Sequence, residues 1–408
     1  MSGGCDNVVK TKPLYFIIFP VILVFIYFFQ GEIPSIYFYI PLFLVIISFI
    51  YGGMLWLLIK YTQKIDKKNL IKGEKIHFNF SIHNEFFLIY PFIRVVFYEM
   101  DYIFGRQTKA LEFALNPFSH KSFECEWECK YRGDYTVGID YIEIKDFLGL
   151  FSFFYYIREP KEIKVYPRIS MLNYFNLNTS YISESDSIVK SNKEDMSNIS
   201  DIRKYVYGDT LRKIHWKATA KRNELMVKNY DNTAQIYVNL LLDLKENHFG
   251  EEKNMIIEDQ VIECIVAVTH YCLRHWIPVK LVYYNEGIKS IEGKNALDFE
   301  IFYDFMRKAK FNQNINFSDV ISTYLSNEME KSNWILFTVN LEYDLYDQLY
   351  EMSCAGYNII LIYISPEDLV TINKDEEEKI IEGLKDIGVK VIKVNIRDDI
   401  KQVLGCSL

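Results

Sequence analysis

Two uncharged apolar runs lie within the first sixty residues, and no other feature constrains the fold as strongly. Leu14–Gln30 (LYFIIFPVILVFIYFFQ) and Pro34–Ile59 (PSIYFYIPLFLVIISFIYGGMLWLLI) contain no Asp, Glu, Lys or Arg. A helix that crosses a bilayer needs about 20 apolar residues. The first run, at 17 residues, only just qualifies, and the second is long enough to tilt. Only Gly31-Glu32-Ile33 separates them, so the pattern predicts a helical hairpin. Pro20, Pro41 and Gly52-Gly53 are tolerable inside such helices. Lys10 and Lys12 precede the first run, and Lys60, Lys64, Lys67 and Lys68 follow the second. The positive-inside rule then places the N-terminus and the large C-terminal region in the cytoplasm of a multi-pass cell-membrane protein. A cleaved signal peptide fits poorly, because a second run follows at once with no small-residue cleavage site between. MSGGC resembles the end of a lipoprotein signal, but no apolar stretch precedes Cys5.

That placement decides how the cysteines read. In a reducing compartment Cys5, Cys125, Cys129, Cys264, Cys272, Cys354 and Cys406 are not expected to form structural disulfides. Cys125 and Cys129 share one face of an alternating strand, FECEWECKY. With no second Cys/His pair nearby to complete four ligands, strand packing explains them better than a metal. A length of 408 residues with 50% apolar content excludes a disordered or fibrous chain. A net charge of −8 argues against bulk affinity for nucleic acid or anionic lipid.

From Lys72 the pattern acquires period two. KIHFNFSIHN, RVVFYEM, LEFAL, SFECEWECKY, DYTVGIDYIEI and EIKVYP read as strands divided by Asn, Gly and Pro. They predict a β-sandwich-like domain over 63–168. Gly133 in Arg132-Gly133-Asp134 suits a positive-φ turn, and the aromatics of Asp146–Phe151 are expected to plug one end of the sandwich. Residues 169–200 are rich in Ser and Asn and read as a linker.

The last 177 residues, 232–408, alternate strand and helix. Strands are expected at 235–242, 279–284, 334–339, 358–364 and 389–395. Helices are expected at 258–276, 299–310, 317–329, 342–354, 374–387 and 398–404. Val261, Cys264, Ile265, Val268 and Cys272 form a buried stripe, and the DEEEK run at 375–379 forms a solvated face. Such alternation means an open, mostly parallel sheet with helices on both faces. Ligands in these sheets sit at the carboxyl ends of strands, which directs attention to Asp243. Neither GxxxxGK[ST] nor GxGxxG occurs, so nucleotide binding is not expected.

Residues 201–231 carry eight Lys or Arg against four acids, a basic island in an acidic chain. Asp209 is suited to cap a helix running from Thr210 to about Lys221, with Leu211, Ile214 and Ala218 inward. Lys213, Lys217 and Lys221 would share one exposed face and Arg212, Trp216 and Thr219 another. Arg222-Asn223-Glu224 would turn the chain into a strand at 225–230. Three roles compete. Trp216 packs and the cations pair internally; or the basic face docks an acidic partner; or His215 acts as a base oriented by Asp209 in a hydrolase. The last suffers from a six-residue spacing that a helix places on mismatched faces.

IRKYVYGDTLRKIHWKATAKRNELMVKNYD resembles the signature of the bacterial domain-of-unknown-function 58 family, including Arg203, Tyr205, Gly208, Asp209, Arg212, Ile214 and Trp216. YRGDYTVGIDYIEIKDFLGLF and VYPR resemble that family's β region. Tyr207 departs from a usual Pro, and Lys221 precedes Arg222 where the family has an Ala-Arg step. The resemblance implies an α+β multidomain protein: a membrane hairpin at 1–62, the β domain at 63–168, the linker, the signature segment at 201–231, and a von Willebrand A-like (Rossmannoid) domain at 232–408. It also implies a MoxR-type AAA+ ATPase partner and a transglutaminase-like membrane protein encoded nearby. Von Willebrand A domains commonly hold magnesium with D-x-S-x-S and T-D-G. Here Asp243-Leu244-Lys245-Glu246-Asn247 puts an ammonium where a hydroxyl belongs, and Val339 replaces a carboxylate. The expectation is a degenerate, metal-free site, no cofactor, and an adaptor that docks a partner through Arg203, Tyr205, Gly208, Asp209, Arg212, Lys213, His215, Trp216, Lys217 and Arg222.

Overall fold

The computed structural model describes residues 9–11, 20, 24, 27, 32–98, 110–157, 160–177, 199–205, 214–230, 237–325, 333–370 and 374–405. The chain divides into two compact units, Met1–Arg168 and Ile169–Leu408. It is a mixed α and β protein with several sheets and one candidate membrane-spanning helix among the described residues.

That helix runs Glu32–Leu58, and its stretch Tyr39–Leu58 has a mean hydropathy of 2.2. The other apolar run, 14–30, lies outside the described residues except for Pro20, Val24 and Tyr27, which are helical. In chain order the first unit's strands are β1 (Val9–Thr11), β2 (Lys60–Ile65), β3 (Asn69–Ile71), β4 (Lys75–Asn84), β5 (Tyr90–Phe97), β6 (Leu111–Leu115), β7 (Ser119–Glu128), β8 (Gly133–Val137), β9 (Ile139–Lys145), β10 (Phe151–Tyr156) and β11 (Lys161–Tyr166). They form sheets of order β1-β10-β9-β5-β6, β2-β4-β7 and β3-β11-β8, antiparallel except for the β3–β11 pair.

Alternation in β4 sends Ile76, Phe78, Phe80 and Ile82 inward. Phe78 stacks on Trp127 at 5.2 Å and Phe80 on Phe123 at 5.0 Å, across the β4–β7 ladder. Cys125 opposes Phe78 in that ladder, and burial pushes the Cys129 thiol up to about 12, with help from Glu74 and Glu128. A thiol so hard to ionise is a poor metal ligand. The last turns of the long helix close the same core. Leu55 and Ile59 are buried in it, Trp56 Nε1 donates to the Phe154 carbonyl at 3.0 Å, and Tyr90 Oη donates to the Leu55 carbonyl at 3.1 Å. The last turns of the apolar run thus belong to the β core, although hydropathy alone extends the candidate span to the end of the helix.

The turn Asp146–Phe151 departs from expectation. The buried Asp146 carboxylate accepts the backbone N–H of Leu148 at 2.9 Å and of Phe151 at 2.7 Å, and also the Ser48 hydroxyl. Gly149, at φ 63°, completes the reversal. The polar group is therefore inside, and Phe147 and Leu148 point outward, 63% and 50% exposed, instead of plugging the sandwich. Gly133, at φ 144°, does adopt the expected positive φ, as the first residue of β8.

The second unit contains a two-stranded ribbon of β12 (Ile199–Lys204) and β13 (Met226–Tyr230). It also contains a six-stranded sheet made from β14 (Val238–Leu242), β15 (Val279–Tyr284), β16 (Ile288–Gly293), β17 (Asn333–Thr338), β18 (Asn358–Ser365) and β19 (Lys390–Asn395). Their order is β16-β15-β14-β17-β18-β19, parallel throughout except for the edge strand β16. Helices Glu251–Arg274, Phe299–Lys308, Phe317–Leu325, Tyr343–Cys354, Lys374–Asp386 and Ile400–Gly405 cover it. Leu240, Leu242, Ile335 and Phe337 face one apolar cluster, and Leu241, Trp334, Leu336 and Leu361 face the other. Both faces are filled, which is why these strands read as continuous apolar runs.

Three expectations change here. Helix Glu251–Arg274 is buried on nearly all sides from Ile257 to Thr269, not along a stripe. The first nine residues after Arg168 do not behave as a linker: Leu172, Phe175 and Leu177 are buried in the α/β core, while 178–198 lie outside the described residues. Within the DEEEK run Glu377 is only 4% exposed. Its carboxylate meets the Lys393 ammonium at 2.7 Å, and Lys393 also reaches Glu367 at 3.1 Å. A buried carboxylate needs such a partner, and β19 supplies it from sixteen residues further along the chain.

Candidate functional site

The signature segment is built on β12 and β13. Arg203 pairs with Val227 and Lys204 with Met226, and Ile214 adds a bridge to Val227 on the other side of β13. Ile214, Met226 and Val227 are buried, so the segment has a small apolar centre of its own. A helix follows at Trp216–Arg222. Its N-cap is His215: the Nδ1 atom accepts the Ala218 N–H at 3.0 Å, and the His215 N–H donates to the Met226 carbonyl at 2.8 Å. Asn223 closes the other end in a left-handed conformation, φ 56°, donating to the Thr219 carbonyl at 2.9 Å. Thr219 Oγ1 accepts the Met226 N–H at 3.0 Å and ties the helix back to the strand.

This corrects the helix predicted from 210 to 221 in two ways. Ile214 is a strand bridge and not part of a helical stripe, because its backbone pairs with β13. The cap of the described helix is His215, because Ile214 is still paired with β13 and the helix begins at Trp216. Gly208, Asp209, Arg212 and Lys213 lie outside the described residues, so the proposed Asp209–His215 pair and the Lys213 end of the cationic face lie outside them too. The turn at 222–224 and the strand after it are where the sequence puts them.

Trp216 is 68% exposed, so it is not a packing residue within this chain. Lys217, Lys221, Arg222 and Arg203 are exposed around the same short segment, and Tyr205 is half-buried. Lys204 pairs with Glu224 at 2.5 Å in the open. An Nδ1 that accepts a backbone N–H carries no proton of its own, which fixes the Nε2–H tautomer and leaves His215 without its Nδ1 lone pair for chemistry.

The second place to look is the carboxyl end of the sheet. The chain passes from β14 to β15 on one side and later enters β17 on the other, so β14 and β17 bound the switch point. Asp243 follows β14 and is buried. Its carboxylate accepts the Lys245 N–H at 2.9 Å and the Thr338 hydroxyl at 2.7 Å. Burial raises its pKa above the ordinary carboxylate range; those two bonds and the nearby Lys245 charge work against the rise. Lys245 Nζ donates to Asn316 Oδ1 at 3.0 Å and to Glu342 Oε1 at 2.7 Å. The cavity among Asp243, Lys245, Ser318, Asn340 and Glu342 measures about 10 Å³, room for one water at most. These residues do not fit a magnesium ion, which wants several oxygen ligands in octahedral array, because an ammonium already lies among the oxygens. The Asn316 and Glu342 contacts were not legible beforehand: they come from two loops 71 and 97 residues away.

Residues 201–291 match the family described as "Protein of unknown function DUF58". That segment belongs to this family, as its signature residues indicate. No curated protein matches the chain. Solved structures with partial likeness include the CARDB domain of a Pyrococcus furiosus protein in complex with di-metal ions, at 13% identity, 26% of this chain, 91% of that chain and a TM-score of 0.19. A Listeria innocua beta-glucosidase in complex with glucose shares 15% identity over 26% of this chain and 16% of its own, with a TM-score of 0.17. The Pseudomonas fluorescens alkylpurine DNA glycosylase AlkC bound to DNA shares 12% identity over 36% of this chain and 42% of its own, with a TM-score of 0.18. Likenesses at this level carry no argument about fold or function.

Proposed function

We propose that this is a membrane-tethered, non-enzymatic adaptor that docks a cytoplasmic partner through the signature segment, the partner being a MoxR-type AAA+ ATPase. The observation that carries it is Trp216, largely exposed and set among Lys217, Lys221 and Arg222 on a capped, tied-down helix. Trp and Arg are among the residue types that dominate binding energy at protein interfaces. The geometry gives less support to a hydrolase, since the His215 ring holds the helix cap. The strand order with one antiparallel edge supports a von Willebrand A-like second unit, with Lys245 standing in for the metal. The helical hairpin, the cytoplasmic orientation, a transglutaminase-like neighbour and a client in envelope or secreted-protein assembly complete the proposal.

The test is recovery of the ATPase on the detergent-solubilised full chain. Reversing Lys213, Lys217 and Arg222 to Glu is expected to reduce recovery at least about tenfold, the effect of losing some 1.4 kcal/mol. Undiminished recovery removes the basic face from the mechanism.

A further inference from the structure

Three turns of the first unit lie at one end of its sheets and all expose apolar side chains. They are the β4–β5 turn with Phe87, the β6–β7 turn with Phe118, and the β9–β10 turn with Phe147 and Leu148; the three Phe side chains are 69%, 73% and 63% exposed. Register puts them together: Asn84 opposes Ser119, Tyr90 opposes Leu115, and Phe92 opposes Lys145. The turns are tied to one another and to the long helix. Asn84 Nδ2 donates to the carbonyls of Leu88 and Asn116 at 2.6 and 2.8 Å. Tyr51 Oη donates to the Ile89 carbonyl at 2.5 Å, its ring lies 5.4 Å from that of Phe147, and the Ser48 hydroxyl bonds Asp146.

The three tips 86–89, 116–119 and 147–151 contain no charged residue. Of the charges at their bases, Asp146 is buried and hydrogen-bonded, Glu85 pairs with Lys60, Lys145 pairs with Glu143, and Lys121 lies over the Phe113 ring. Among the described turns, the opposite end of the same sheets is the reverse. Its turns carry Asp66, Lys67 and Lys68, then Lys72 and Glu74, then Lys130 and Arg132. One end of the unit is thus dressed for water and the other is not, and the apolar end meets the helix at Ser48–Tyr51, beyond which Phe43, Leu44, Ile46 and Ile47 are exposed.

The geometry points to a lipid-docking crown: Phe87, Phe118, Phe147 and Leu148 enter the interfacial layer of the bilayer around the emerging helix. The occupant is lipid because the apolar surface of the crown continues that of the helix. Aromatic side chains suit that layer, and a contiguous apolar surface of this kind marks an interaction site. The inference rests on the part of the Glu32–Leu58 helix before Ser48 lying in a membrane. It places the boundary near Ser48–Tyr51 and holds the β unit against the membrane surface in one orientation, as an amphipathic element does.

The test is photocrosslinking of the full chain in phosphatidylcholine–phosphatidylglycerol vesicles, with benzoylphenylalanine replacing Phe43, Phe87, Phe118, Phe147 or Lys67 one at a time. Phospholipid adducts are expected at the three crown positions in yields comparable with Phe43, and none at Lys67. Adducts at Phe43 alone would overturn the crown and leave the membrane helix standing. No adduct at Phe43 would overturn the helix reading and the crown with it. Crosslinks from the crown to a second protein chain would also overturn it, by showing that the apolar end is a protein interface.

Discussion

The imidazole of His215 holds the first turn of a seven-residue helix, and its role is testable by comparing two substitutions. His215→Ala removes the acceptor for the Ala218 N–H and should cost about 1 kcal/mol in urea unfolding of the second unit, as other lost caps do. His215→Asn keeps an acceptor at the cap and should restore most of that loss. A histidine acting as a base would show neither pattern. Asp243 provides a second test, with the sign set by its environment. Its pKa is raised in the folded state, so the protonated form is favoured on folding. That contribution is fully present below the unfolded pKa and is lost as pH rises through the folded one. Asp243→Asn should therefore gain in melting temperature relative to the parent as pH rises from the ordinary carboxylate range. The neighbouring ammonium predicts that saturating magnesium leaves the melting temperature unchanged; a rise of several degrees would show that Lys245 yields its place. Asp243 and Lys245 were legible in the sequence because they end a strand. Asn316 and Glu342 were not, since only tertiary folding brings them to Lys245.

At the level of elements, strand and helix periods carried most of the information. Strands β4 and β6 fall where alternation put them, and β15 begins and ends where its apolar run does. β16 escaped notice because Ile288–Gly293 is an exposed edge with polar alternation, although the Asn285-Glu286-Gly287 turn before it is a hairpin signal, with Glu286 at φ 55°. Basic residues recurring every four positions extend the expected signature helix back to 210, whereas backbone pairing of Ile214 with Val227 places the described helix after it. Two elements make sharp predictions. A Cβ on Gly52 would lie 2.2 Å from the Phe153 ring, while nothing lies within 4 Å of one on Gly53. Gly52→Ala should lower the thermal stability of the detergent-solubilised chain by about 1–3 kcal/mol through overpacking, and Gly53→Ala should leave it unchanged. Lys393→Met would leave Glu377 buried without its cation, at a cost of about 3 kcal/mol in urea unfolding. A second change, Glu377→Leu, should recover much of it.

For the whole molecule the claim is that a tethered protein offers a surface where an enzyme would offer a reaction centre. Charge asymmetry fits that claim. The chain is acidic overall, and its signature segment is not, so an acidic partner would be steered to one place. The direct measurement is co-purification of the MoxR-type ATPase with full-length Trp216→Ala and His215→Asn variants of matched thermal stability. A docking surface requires that Trp216→Ala lose at least about tenfold in recovery while His215→Asn retains it. Full recovery with Trp216→Ala, together with loss of cellular function in His215→Asn, would contradict it.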